Sequence, residues 1–265
     1  MDCYYINLDA APERRARIEA NFAEHKAPGW TLTRFPAVDA EEVSPRRISG
    51  TLRPAEKARF LSHRDLIGSL NDAARPVMVM EDDALIGRHT CPLIETLLAN
   101  PRGPDWDILF TNLCFPQLKT KIELAKYRRQ VASTGSISLL DLKKFAFAGS
   151  SGYIVNPKSL VKLHSFLLAI DTLNTAYDVY LSHLTREFKL RSYVFFPFVT
   201  SQSDPAVASR DRADLIGRAF SRMTWVDRDP LALGAMREAV APSPDKAQLL
   251  EALFTEIEAG KEEYP

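Results

Sequence analysis

Val77-Met78-Val79-Met80 is an uninterrupted apolar run that stops at three consecutive acids, Glu81-Asp82-Asp83. Four apolar residues are too few for a helix and read as a strand buried on both faces. Such strands belong to sheets covered on both faces. The acids then lie beyond the carboxyl end of the strand, where open α/β sheets bind ligands. Three adjacent carboxylates repel one another unless a cation sits among them. Their hard oxygen donors suit a divalent ion that bridges to the phosphates of a nucleotide. A solvated acidic turn is the other reading these residues leave open.

The rest of the chain supports the same class. β-rich or apolar runs at residues 3–8, 31–35, 77–80, 106–110, 145–155 and 191–196 predict strands. Periodic segments at 13–25, 52–74, 91–99, 158–168 and 177–188 predict helices, with Pro12 and Pro54 placed at first helical turns. This alternation predicts an α/β domain whose mostly parallel sheet is flanked by helices. Residues 112–136 lack a clean period and carry Lys119, Lys121, Lys126, Arg128 and Arg129. They read either as a solvated surface helix or as a lid or acceptor-contacting insertion. From residue 210 onward the chain reads as a helical C-terminal tail, with Ser243-Pro244-Asp245 as an N-cap and first turn. The expected organisation is one domain over residues 1–204 and a helical extension over 205–265 packed on it.

Composition excludes several function classes. The chain has 34 Lys+Arg against 34 Asp+Glu, which removes the basic footprint of a nucleic-acid binder. No stretch approaches the roughly 18 to 20 apolar residues of a membrane span, so membrane association is expected to be peripheral at most. Met1-Asp2-Cys3-Tyr4-Tyr5 has no basic region followed by an apolar one, and the 3 cysteines are an odd count without metal spacing. Together these predict a cytoplasmic protein in a reducing compartment, at most working at the inner membrane face.

Other residues have chemistry to offer. On the helix opened by Pro54, the residues Glu56, Phe60, His63, Ile67 and Leu70 share one face. A carboxylate and an imidazole on an apolar stripe are costly unless paired or ligand-bound. Helix-dipole stabilisation of Glu56 and a satisfied core histidine at position 63 are the plainer alternatives. Asp178 stands in the opening turn of a helix, between Tyr177 and Tyr180. A carboxylate in such a half-apolar setting can serve as a proton acceptor. Gly149-Ser150-Ser151-Gly152 is wrongly spaced for a P-loop, yet it permits close approach of the backbone to a ligand.

Seven segments, INLDAAPERR, LRPAEKARFLSHR, VMVMEDDA, WDIL, AGSSGYIVNPKSLVKL, AYDVYL and FFPFVTSQSD, occur in one order over residues 4–204. In sequence and spacing they resemble glycosyltransferase family 25, which includes bacterial lipooligosaccharide galactosyltransferases and collagen galactosyltransferases. The second segment matches the family at Pro54, Glu56, Leu61, Ser62 and His63 and departs from it at Ala55, Lys57, Ala58 and Arg59. The resemblance implies a GT-A-type nucleotide-sugar-binding fold and a metal-dependent hexosyltransferase. Such an enzyme moves a sugar, galactose first, from a UDP-sugar to a glycan or glycolipid hydroxyl with inversion. It implies Mn²⁺ or Mg²⁺ held by Asp82 and Asp83. It places Ile6, Asn7, Leu8, Arg14, Glu81, Asp82, Gly149, Gly152, Gln202 and Ser203 at the donor. It points to Asp178 as general base, with His63 and Glu56 as further catalytic candidates. A metal-dependent phosphohydrolase and a non-catalytic carbohydrate-binding relative are the competing readings.

Overall fold

The computed structural model describes residues 1–43, 48–132, 137–203, 217, 220–228 and 247–259. In chain order the elements are β1 Asp2–Asn7, α1 Pro12–His25, β2 Thr31–Pro36, α2 Ala40–Val43, α3 Pro54–Ser69, β3 Val77–Glu81 and β4 Ala84–Ile86. Next come α4 Thr90–Leu98, β5 Ile108–Phe110, α5 Leu118–Ala132, β6 Ser138–Asp141 and β7 Gly152–Val155. The last are α6 Leu160–Leu168, α7 Tyr177–Arg186, β8 Ser192–Phe196, β9 Thr200–Gln202 and a final helix, α8, Ala247–Ala259.

Seven strands form the central sheet in the order β2-β1-β3-β7-β5-β8-β6, and β4 pairs with β9 in a separate ribbon. β2, β1, β3, β5 and β8 all run one way. β7, between β3 and β5, and β6, at the edge, run against them. The expected helix-flanked α/β sheet therefore forms, with parallel direction dominant and a reversed strand at its centre. Residues 145–151, expected as strand, instead return to the carboxyl end of the sheet and set Gly152 opposite Met80. Gly149 makes that path possible with φ at 96°.

Alternation along β3 sorts the core into two layers. Val77 and Val79 face a cluster containing Phe60, Leu61, Leu66 and Ile67 of α3. Met78 and Met80 face Ile18 and Phe22 of α1 and Ile94 of α4. The expected helix over 52–74 stops at Ser69, where the Leu70 N–H turns back onto the Ile67 carbonyl.

The basic stretch around α5 is a helix, as one reading expected, but it is not simply solvated. α5 buries Ile122, Leu124, Ala125 and Val131 in one cluster with Leu250, Leu253, Phe254 and Ile257 of α8. Lys121 and Arg128 are buried too, and desolvation brings the Arg128 guanidinium down to about 10. The period is blurred because α8 covers a face that would otherwise meet solvent. The boundary expected at 204/205 and the cap at Ser243-Pro244-Asp245 lie outside the described residues, as does most of the tail.

Candidate active site

The parallel pair β1 and β3 ends side by side, with Ile6 opposite Glu81. Strand alternation continues past the last apolar residue, so Glu81 points to the α3 side and Asp82 to the α1 side. Each acid meets a different set of partners.

On the α3 side, Glu81 Oε1 accepts from Ser150 Oγ at 2.5 Å and lies 3.3 Å from His63 Nε2, while Arg59 Nη2 is 3.4 Å from Oε2. His63 is fully buried, its ring stacked on Tyr177 with centroids 4.2 Å apart, and its Nδ1 lies 2.9 Å from Tyr153 Oη. Tyr153 Oη is in turn 2.9 Å from Tyr177 Oη. Burial works to raise the Glu81 carboxyl, but the charge of Arg59 and the hydrogen bonds from His63 and Ser150 hold it well below the usual range. Desolvation pushes His63 down, with Glu81 opposing, so the imidazole is neutral beside an ionised carboxylate. Nε2 then donates to Glu81, Nδ1 accepts from Tyr153, and Tyr153 accepts from Tyr177. His63 is thus the satisfied member of a buried polar column rather than a group open to ligand.

On the α1 side, Asp82 Oδ2 accepts from Asn7 Nδ2 at 2.7 Å, and Oδ1 lies 3.2 Å from Arg14 Nη1. Burial raises the Asp82 carboxyl, with Asn7 and Arg14 working against that rise. The Asn7 side-chain oxygen accepts from Arg34 Nε at 3.1 Å, and its amide also donates to the Ala11 carbonyl. Asn7 thereby fixes the start of α1, the end of β1 and Asp82 together. Ile6 packs in the core under α3, and Leu8 is half-buried where the Ala11 N–H returns to its carbonyl.

The late segment also arrives here. Gln202 pairs with Ala84 across the β4–β9 ribbon, and the Ser203 N–H donates to the Asp83 carbonyl at 2.7 Å. The loop at 149–151 joins the remaining candidates. Gly149 N–H donates to Asp178 Oδ2 at 2.6 Å, Ser150 reaches Glu81, and the Ser151 carbonyl accepts from the Glu81 N–H. Asp178 Oδ1 accepts from the Val179 N–H at 2.9 Å. The two tyrosines do not screen that carboxylate as a pair: Tyr177 turns inward onto His63, and Tyr180 donates to the Phe166 carbonyl. Gly152 lies within β7, where a Cβ would come 2.4 Å from Thr111 Oγ1, so it serves close packing. Glu56 stands apart at the opening of α3, where its carboxylate accepts from the backbone and side chain of Arg53 as a capping box.

Among the described residues no group of three or more His, Cys, Asp or Glu is arranged to hold a metal by itself. The donor set still suits a hard cation that keeps one or two carboxylates and takes its other ligands from phosphate and water.

Sequence reasoning missed Arg59, Ser150, Tyr153 and Arg34 as site residues. Arg59, Ser150 and Tyr153 reach Glu81 and His63 from α3, the 149–151 loop and β7, placements that no local pattern marks. Arg34 had no signal, since its partner Asn7 lies 27 residues away across a strand pair.

The cluster of acids and guanidiniums lies beyond the carboxyl ends of parallel strands, where open α/β sheets bind ligands. Residues 1–181 match the profile of glycosyltransferase family 25, described as LPS biosynthesis protein. The chain belongs to this glycosyltransferase family. No curated protein sequence matches it. A solved structure similar to it is mouse Xyloside xylosyltransferase 1 in its apo form, at 10% identity and a TM-score of 0.35. That likeness covers 72% of this chain and 63% of the mouse chain, so the chain spans less than two thirds of that protein's length. No helix among the described residues is long and apolar enough to cross a membrane.

Proposed function

We propose that the protein is an inverting galactosyltransferase with a GT-A-type domain, moving galactose from UDP-galactose to a hydroxyl of a glycan or lipooligosaccharide-type acceptor. The observation that carries this reading is the convergence on one strand end of Glu81, Asp82 and Asp83 with Asn7, Arg14, the 149–151 loop and Ser203. Three consecutive carboxylates concentrate negative charge there, and the guanidiniums of Arg14 and Arg59 are each engaged with one of them. A diphosphate approaches such a site most readily once a divalent cation offsets that charge.

Asp83 and Asp82 would hold Mn²⁺ or Mg²⁺, and the ion, when bound, neutralises charge growing on the departing UDP. Asn7 orients Asp82 for this task, and Arg14 meets the nucleotide end alongside Ile6 and Leu8. Gly149 brings backbone close to the sugar, while Gln202 and Ser203 close the donor side against Asp83. Inversion requires the acceptor hydroxyl to attack from the face opposite the leaving group. Asp178 takes its proton: its carboxylate is oriented by the Gly149 N–H and is only partly buried. His63, fully buried and with both ring nitrogens engaged, positions Glu81 instead. Glu56 secures the opening of the helix that carries Arg59 and His63. Any membrane association is peripheral, through the acceptor.

The test is a thermal-shift panel of nucleotide-sugars with and without Mn²⁺, followed by turnover assays on the ligands that stabilise. UDP-galactose should raise the melting temperature only with the ion present, and Asp178→Asn should lower turnover by roughly 10² to 10⁴-fold with donor affinity nearly unchanged. Full activity in excess EDTA overturns the metal role. Preference for another donor overturns galactose, and near-normal turnover of Asp178→Asn overturns the base assignment.

A further inference from the structure

Neighbouring residues at the end of β3 send their carboxylates to opposite faces of the sheet, and each is met by an arginine from the helix on that face. Arg14, in the first turn of α1, pairs with Asp82, and its side chain is 46% exposed. Arg59, in the second turn of α3, pairs with Glu81, and its side chain is 54% exposed. The two carboxylates are 9% and 15% exposed, so each arginine is anchored at a buried acid while its side chain still reaches solvent. Consecutive Cα atoms are about 3.8 Å apart, so both ion pairs stand at one strand end.

We propose that Arg59 is a donor-binding residue: with Arg14 it forms a two-sided guanidinium clamp on the diphosphate of the nucleotide donor. The inference rests on the glycosyltransferase reading for the identity of the ligand, while the clamp itself rests on the two ion pairs. Guanidinium groups bind phosphate oxygens through paired N–H donors, and such charge-assisted bonds are stronger than neutral ones. Anchoring by a buried carboxylate fixes each guanidinium in advance, which lowers the ordering cost of binding. Arg59 also holds down the local negative charge, so its removal leaves the site more hostile to a diphosphate. A purely structural Arg59 would serve only to balance Glu81, and the two roles separate experimentally.

Isothermal titration of Mg²⁺-loaded wild type, Arg59→Gln, Arg59→Lys and the double variant Arg59→Gln/Glu81→Gln is done with two probes, UDP and inorganic pyrophosphate. Arg59→Gln should weaken both probes by about 10 to 100-fold. Arg59→Lys should recover part of the loss, and the double variant should stay weak although the carboxylate that Arg59 balances is gone. Unchanged affinity in Arg59→Gln overturns the clamp. Full recovery in the double variant also overturns it, because Arg59 would then act only on Glu81. If Arg59→Gln does not fold, the double variant against Glu81→Gln alone carries the test, and equal affinity in the two overturns the clamp. Arg59-dependent binding of pyrophosphate without preference for UDP sustains the clamp and removes the UDP reading. Wild type that binds neither probe removes both.

Discussion

Two sets of buried carboxylates sit at opposite ends of the same sheet and do different things. At the amino ends of β5 and β8, Asp107 accepts from Ser159 Oγ at 2.6 Å, from the Arg191 N–H at 2.7 Å, and from the Arg191 side chain and Lys162 Nζ at 3.2 to 3.3 Å. Its own N–H donates to the Arg191 carbonyl, and its carbonyl accepts from the Asn156 N–H. These partners come from the start of β8, the turn after β7 and the helix that follows it, so one side chain ties three segments. At the carboxyl ends of β1 and β3, Asp82 is also buried and Glu81 mostly so, and both also meet arginine. There each acid holds a side chain from a separate helix, and a third acid, Asp83, follows directly in the chain. Burial and an arginine partner therefore do not distinguish staple from site. What distinguishes them is the density of negative charge at the strand end.

The largest effect should come from breaking the staple. Asp107→Ala leaves Ser159 Oγ and the Arg191 N–H without their acceptor, and each unsatisfied buried donor costs about 1 to 3 kcal/mol. Chemical denaturation should show that loss, while turnover per folded molecule stays at the wild-type value. A loss of turnover with stability unchanged would erase the distinction between the two ends. Asp83→Asn should do the reverse. Turnover falls by roughly 10² to 10³-fold, the range for losing one electrostatic contact to a transition state, and the melting temperature moves little.

Acid sharpens the same contrast. Burial would raise the Asp107 carboxyl, but the hydrogen bonds from Arg191 and Ser159 and the charge of Lys162 bring it down to about 2. A folded-state value below the unfolded value of about 3.9 gives stabilisation that is complete above the unfolded value and lost as pH falls through the folded one. Between about pH 4 and pH 2 the protein should therefore lose on the order of 2 kcal/mol from this group. Asp107→Asn should flatten that limb of the stability–pH curve, and an unchanged limb would show that another group carries it. The smallest effect belongs to Lys162→Ala. Its side chain is 42% exposed and Asp107 keeps its other donors, so the expected loss is below about 1 kcal/mol. A loss several times larger would show that the staple depends on charge count and not on the backbone and serine donors.

The apolar run at Val77–Met80, the acids after it and the alternation of elements are enough to specify the α/β class and a site at a strand end. Other features are hidden for identifiable reasons. The strand expected over 145–155 contains a glycine at positive φ that turns most of it into a loop, and nothing local marks where the turn happens. The α5 stretch reads as solvated because its covering helix, α8, lies more than a hundred residues later. Glu56 and His63 share a helix face as expected, yet one ends in a cap with Arg53 and the other in a tyrosine column. Those fates depend on neighbours from the backbone turn before α3 and from β7 and α7.

The sequence by itself determined the residue chemistry and the periodicities: which strands are buried, which helices are amphipathic, and that three acids stand where a strand ends. These are local quantities, set by side-chain polarity and by backbone repeats of 2.0 and 3.6 residues. Only the tertiary structure decided which acid meets which cation. Pairing Glu81 with Arg59 and His63, Asp82 with Asn7 and Arg14, and Asp107 with Arg191 brings together residues 18 to 84 positions apart. Their proximity follows from strand order and sheet face, which no single stretch of chain contains.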